Sequence, residues 1–233
     1  MTCVTVLAKI PTGCRSIDSF LEGGIPRGEV SLIYGEAETG KTTLAMQCAV
    51  NAAKLGYKTL FVDCDGTFSV KRLSQMTGKS EKIADLIILM KPSSFDEQAT
   101  AVDKLEDYVS GKFGLVVIDT FTSLYRLAVS NAPSKAFELN RELNRQLASL
   151  AQTAKIRKIA VLVLSQVRTS FKEDYVSIEP VATRVVKFWA NVIIEMKPTE
   201  KPQKVVAVVE KAPSKTLPQT CNLQIDETGI HDV

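Results

Sequence analysis

Residues Gly35 to Thr43, GEAETGKTT, follow the spacing Gly-x-x-x-x-Gly-Lys-Thr. Residue types in that order make a cradle for an anion. Gly35 and Gly40 let the backbone wrap tightly, so that successive N–H groups through Glu36, Ala37, Glu38, Thr39 and on to Thr43 point inward at phosphate oxygens. An apolar run precedes the loop and a segment of helical period follows it, so the positive end of a helix opening near Lys41 adds its pull. Lys41 reaches the β- and γ-phosphates as a point charge, and the Thr42 hydroxyl serves Mg2+. A nucleotide triphosphate with its magnesium suits this chemistry.

Such a loop needs an acid at the tip of a neighbouring buried strand, and LVVIDT offers Asp119, which would hold the Mg2+ shell through water. FVDCDGTF puts Asp63 and Asp65 at another strand end, where an acid can polarise the attacking water; the plainer reading of either is a turn residue before Gly66. IAVLVLSQV carries Gln166 next to its end, an uncharged side chain able to hydrogen-bond a γ-phosphate and report its presence. In open parallel sheets, ligands sit at the carboxyl ends of the strands, so these residues are expected to converge on one site.

The elements that must carry them are short β-branched runs alternating with longer segments of helical period, a βαβ pattern. Strands are predicted over 29–35, 58–64, 85–91, 114–120 and 159–167, each nearly continuously apolar, as strands buried on both faces are. Helices are predicted over 41–55, 69–77, 95–110 and 134–155. In the last, Leu139, Leu143, Leu147 and Leu150 make one apolar stripe at three- and four-residue steps. From about 190 to 233 the texture changes to alternating runs separated by Pro, Lys and Glu, which read as antiparallel strands joined by hairpins. The fold class is therefore α/β: a P-loop NTPase core with a mostly parallel sheet, helices on both faces, and an antiparallel extension.

Composition sets outer bounds. With 233 residues, 29 Lys+Arg against 26 Asp+Glu and a net charge of +3, the chain is near neutral, and one domain over 1–233 with a short lead-in over 1–12 is expected. Hydrophobic residues at 45% and charged residues at 24% exclude disordered, collagen-like and fibrous classes. No window approaches the ~18 apolar residues of a membrane span, and the first residues lack a secretion signal. Five scattered cysteines without a Cys-x-x-Cys pair, with His231 as the one histidine, fit reduced thiols in a cytoplasm. Charge balance is silent on nucleic acid, because any such surface must be local.

Taken together, the phosphate loop, the acid-bearing strand followed by GTF, the LVVID strand and the strand ending in SQV resemble the RecA-like recombinase core in its archaeal and eukaryotic form. The opening TGCRSIDSFLEGGIPRGEVSLIYGEAETGKT is similar to that family's entry into the ATPase core, and the ending DETGIHDV looks most like a short archaeal paralogue. The resemblance covers Thr12 to Val233. It implies ATP and Mg2+ as ligands, Lys41 and Thr42 as phosphate and magnesium residues, Asp119 as the Walker B acid, Asp65 as the catalytic acid and Gln166 as the nucleotide sensor. It also makes Arg72 the adenine-stacking arginine and puts Arg126 in a first DNA-binding loop. The stretch 168–180 becomes a second such loop, in which Arg168 and Lys172 neutralise phosphates while Phe171 and Tyr175 stack on bases.

Three departures shape the expected role. Asp65 stands where the family usually has glutamate, so hydrolysis is expected to be slow. With about a dozen residues ahead of the core, no helix-hairpin-helix domain is expected there. The Phe-x-x-Ala tie between protomers has no true match, since Thr5-Val6-Leu7-Ala8 keeps only the alanine, so self-association is expected to be limited. These point to an accessory or mediator of recombinational repair that binds single-stranded DNA, with double-stranded DNA left open. Its partners would be the main recombinase or other recombination proteins. The rivals are an active DNA-dependent strand-exchange ATPase and a KaiC-like signalling ATPase that never touches DNA.

Overall fold

The computed structural model describes residues 9–78, 80–109, 111–172, 175–213 and 218–233, and for 168–172 and 175–179 the backbone course alone. Thr5 to Ala8 lie outside the described residues.

In chain order the elements are α1 (Arg15–Phe20), β1 (Val30–Gly35), α2 (Lys41–Lys54), β2 (Lys58–Asp63), α3 (Val70–Thr77), α4 (Glu81–Ala84), β3 (Ile87–Met90), α5 (Phe95–Asp103) and α6 (Leu105–Tyr108). Then come β4 (Phe113–Asp119), α7 (Ser123–Asn131), α8 (Ala136–Arg157), β5 (Ala160–Lys172), β6 (Tyr175–Pro180), α9 (Thr183–Trp189), β7 (Val192–Pro198), β8 (Lys204–Lys211), β9 (Gln219–Asp226) and β10 (Gly229–Asp232). The sheet runs β10-β9-β8-β7-β1-β5-β4-β2-β3, with β6 paired to β5 off that path.

Alternation along the central strands explains their continuous apolarity. Ile33, Val117, Leu162 and Ile194 face α2, where Leu44, Cys48 and Ala49 meet them. Leu32, Val116, Val163 and Ile193 face the other way, onto the α8 stripe of Leu143, Leu147 and Leu150. Both faces of a parallel sheet are thus covered, as helical crossovers require.

Several expectations are corrected. The strand expected over 85–91 is shorter and is not buried on both faces: it pairs with β2 on one side only, and Ile88 and Leu89 are 40% and 36% exposed. The helix expected over 95–110 is interrupted at Lys104, whose N–H still bonds Thr100 O at 3.1 Å. The antiparallel extension begins one strand later than residue 190, because β7 is parallel to β1 and antiparallel only to β8. Within 168–180, among the described residues, β5 continues to Lys172 and pairs antiparallel with β6, Arg168 with Glu179 and Lys172 with Tyr175 in backbone register.

The last strands return to the Gly35–Thr43 loop, where Ile225 and Ile230 lie against Gly40. Gln47 on α2, only 8% exposed, donates from Nε2 to Thr12 O (2.9 Å) and Ile230 O (3.0 Å) and accepts the Ile230 N–H at 2.7 Å. That side chain stands in for a strand neighbour to β10, satisfying backbone groups that burial would otherwise orphan.

Candidate nucleotide site

A cavity of about 520 Å³ opens at the carboxyl ends of β1 and β4 and beside Gln166 and Val167 of β5. Its floor is the expected loop. Gly35 is a glycine of necessity, because a Cβ there would collide with the Met196 carbonyl oxygen on β7. Gly40, with φ of 83°, starts α2 in the left-handed region, and a Cβ on it would lie 2.7 Å from Ile225 Cδ1. The Thr39 hydroxyl closes the turn on Glu36 O at 2.8 Å. The Lys41 ammonium bonds the same carbonyl and lies 3.5 Å from Thr39 Oγ1. Burial lowers the Lys41 pKa, while Asp119, Asp65 and Glu36 pull it back up.

The acids divide their labour in a way the sequence left open. Asp63 is the turn residue: it is 1% exposed, accepts the N–H groups of Thr67 (3.0 Å) and Phe68 (3.2 Å), and has the Lys91 ammonium at 3.5 Å. With its oxygens so engaged, it is not the acid that meets a water in the cavity. The turn it fastens presents Asp65 to the cavity instead. Asp65 Oδ2 accepts the Thr120 hydroxyl at 2.5 Å and Gln166 Nε2 at 3.2 Å.

Asp119 ends β4 and is 1% exposed. Its Oδ1 accepts from the Thr120 hydroxyl at 3.1 Å, whereas Oδ2 is buried with no partner among the described residues. Burial pushes its pKa from 3.8 up to about 6, with the hydroxyls of Thr42 and Thr120 pulling the other way. An orphaned carboxylate oxygen beside the Thr42 hydroxyl, with the Lys41 ammonium lining the same cavity, fits a hydrated Mg2+ on a nucleotide.

The raised pKa gives stability a pH dependence of definite sign. The folded chain favours protonated Asp119, so stability falls as pH rises from about 4 to about 6, and above that the full cost of the buried charge is present. Asp119→Asn removes a charge costing on the order of 3 kcal/mol. In urea unfolding without Mg2+ or nucleotide, the variant should be more stable than the parent at pH 8 and lose that advantage at pH 4. An equal difference at both pH values would contradict the assignment.

A family model described as Rad51 matches residues 4–233. The chain belongs to the Rad51 family. The DNA repair and recombination protein RadB of Methanosphaera stadtmanae is 31% identical over 95% of this chain and 94% of its own length. Its counterpart in Methanothermobacter thermautotrophicus is 33% identical over 95% of both. A crystal structure of the RadB recombinase matches with a TM-score of 0.83 at 34% identity, covering 96% of this chain and 99% of that one.

Of the Rad51-family positions expected from the sequence, Lys41, Thr42, Thr43, Asp65, Asp119 and Gln166 all line the cavity. Arg72 does not line it; it sits on α3, where its N–H bonds the Ser69 hydroxyl at 3.2 Å. Arg126 lies on α7 with its guanidinium on Gln166, and Arg168, Phe171, Lys172 and Tyr175 fall on the hairpin. The side chains of those last four lie outside the described residues. Thr120 and Ile225 line the cavity without having been expected there. A hydroxyl one residue past Asp119 was a local signal; for Ile225, brought in by the C-terminal strands, no local signal exists.

Proposed function

We propose that this Rad51-family protein binds ATP and Mg2+ in the cavity, engages single-stranded DNA through the 168–180 hairpin, and serves recombinational repair as a slowly hydrolysing accessory or mediator. One observation carries the reading: β5 runs without a break from the core, through Gln166 at the cavity, into the hairpin. A sensor and a candidate DNA surface on one strand give bound nucleotide a direct mechanical route to DNA affinity.

In this reading the backbone N–H groups of Gly35 to Thr43 hold the phosphates, Lys41 neutralises the β- and γ-oxygens, and Thr42 with Asp119 holds the magnesium, Asp119 through water. The metal, when bound, neutralises charge that builds up on the phosphates. Asp65 orients the attacking water, and Arg72 stacks on adenine. Single-stranded DNA is the ligand of choice, double-stranded DNA a second. Partners are the main recombinase or other recombination proteins, and self-association is limited. Support for this setting comes from the relatives, named as DNA repair and recombination proteins. No helix among the described residues is long and apolar enough to cross a membrane, which accords with a cytoplasmic site of action.

The test is the salt dependence of ATP-dependent DNA binding. Arg168→Ala and Lys172→Ala should each weaken single-stranded DNA binding and flatten the log–log slope against salt by roughly one unit or less for each phosphate left without its cation. An unchanged slope in both variants would move the DNA surface elsewhere and favour a signalling ATPase.

A further inference from the structure

Gln166 is held from both sides by groups that cannot exchange roles. Its Oε1 accepts from Arg126 Nη1 at 2.6 Å, and its Nε2 donates to Asp65 Oδ2 at 3.2 Å. A guanidinium is donor only and a carboxylate acceptor only, so a flipped amide would set N–H against N–H and oxygen against oxygen. The remaining Nε2 hydrogen is therefore kept on the cavity side. A γ-phosphate accepts and cannot donate, so Gln166 can bond it only through Nε2. The amide orientation that Arg126 enforces is the one a sensor needs.

The arginine is itself well placed to do this. α7 is fastened to the middle of β5 by the Phe121 N–H on Leu164 O (2.9 Å) and by the Thr122 and Ser165 hydroxyls (3.1 Å). The Arg126 N–H bonds Thr122 O at 3.0 Å, one turn above that joint. A fixed helix base thus delivers the guanidinium across the cavity rim to Gln166. From Arg126 the bonds continue through Gln166, Asp65 and Thr120 to Asp119.

We propose that Arg126 is a positioning residue of the nucleotide site: by fixing the amide of Gln166, it sets the preference for a nucleoside triphosphate over a diphosphate. This rests on the proposed ATP site and adds to it a role at the nucleotide for a residue otherwise expected to meet only DNA. Arg126 itself touches no phosphate; it acts through Gln166.

The test measures Mg2+-dependent affinities for ATPγS and ADP in the full chain, without DNA, for the parent, Arg126→Ala, Arg126→Lys, Gln166→Ala and the double alanine variant. The ratio of the two affinities cancels effects common to both nucleotides, including a general loosening of the fold. Arg126→Ala and Gln166→Ala should each reduce the ratio by roughly ten- to a hundredfold, the worth of one hydrogen bond to a charged group. The double variant should lose no more than either single one, because the two act in series. Arg126→Lys, which keeps a donor, should recover part of the ratio. An unchanged ratio in Arg126→Ala, losses that multiply in the double variant, or a parent with no preference would each overturn the proposal. Failure of the ATP site itself looks different: neither nucleotide would then bind with an affinity that depends on Lys41.

Discussion

Lys41→Ala abolishes Mg2+–ATP binding. Among the described residues lining the cavity, the Lys41 ammonium is the cation, held at the loop by Glu36 O and pulled by Asp119 and Asp65. Two charge-assisted bonds to phosphate oxygens, at about 1.5–3 kcal/mol each, convert to a loss on the order of a hundredfold or more. The backbone cradle alone cannot replace them, since its N–H groups carry partial charges only. Stability should not fall in step, because burying the ammonium lowers its pKa and alanine relieves that cost. Calorimetric titration with ATP checks both halves: a folded variant with parental affinity would show that the loop is no nucleotide site.

Asp65→Glu raises the rate of ATP hydrolysis, by roughly ten- to a hundredfold, with ATP affinity nearly unchanged. A group that orients water acts on the transition state more than on the ground state, and a misplacement of ~1 Å can cost on the order of a hundredfold in rate. Here Asp65 lines the cavity with its Oδ2 held by the Thr120 hydroxyl at 2.5 Å and by Gln166 Nε2 at 3.2 Å. One more methylene would extend the carboxylate farther from the turn that follows β2. Steady-state hydrolysis with and without single-stranded DNA decides the matter. Brisk turnover in the parent, or a glutamate variant no faster, would restore the reading of an active strand-exchange ATPase.

The Gly35–Thr43 loop between β1 and α2, the place of Asp119 at the end of β4 and the α8 stripe were legible because each is local: a fixed spacing, an apolar run ending in a polar residue, a helical period; Gln166 was expected at a strand end, whereas β5 runs on past it to Lys172. What escaped depends on partners distant in sequence. Whether Asp63 or Asp65 faced the cavity turned on which carboxylate the Thr67 and Phe68 N–H groups captured, and both fit one turn pattern. β7 was grouped with the antiparallel strands because the Pro- and Lys-rich turn after it marks a hairpin to β8, while nothing local records β1 lying parallel on its other side. The exposure of β3 follows from its place at the sheet edge, which apolar residue types do not reveal. Ile225 reaches Gly40 only once Gln47 has fixed β10.

Everything proposed for DNA depends on the nucleotide state reaching the hairpin along β5. Amide hydrogen exchange over residues 168–180 measures this directly, in the presence and absence of single-stranded DNA, with Mg2+ and either ATPγS or ADP. The account predicts that DNA slows exchange in this stretch with ATPγS and leaves it nearly unaffected with ADP. Equal protection with both nucleotides would sever the sensor from the DNA surface, and no protection with either would contradict the DNA surface itself.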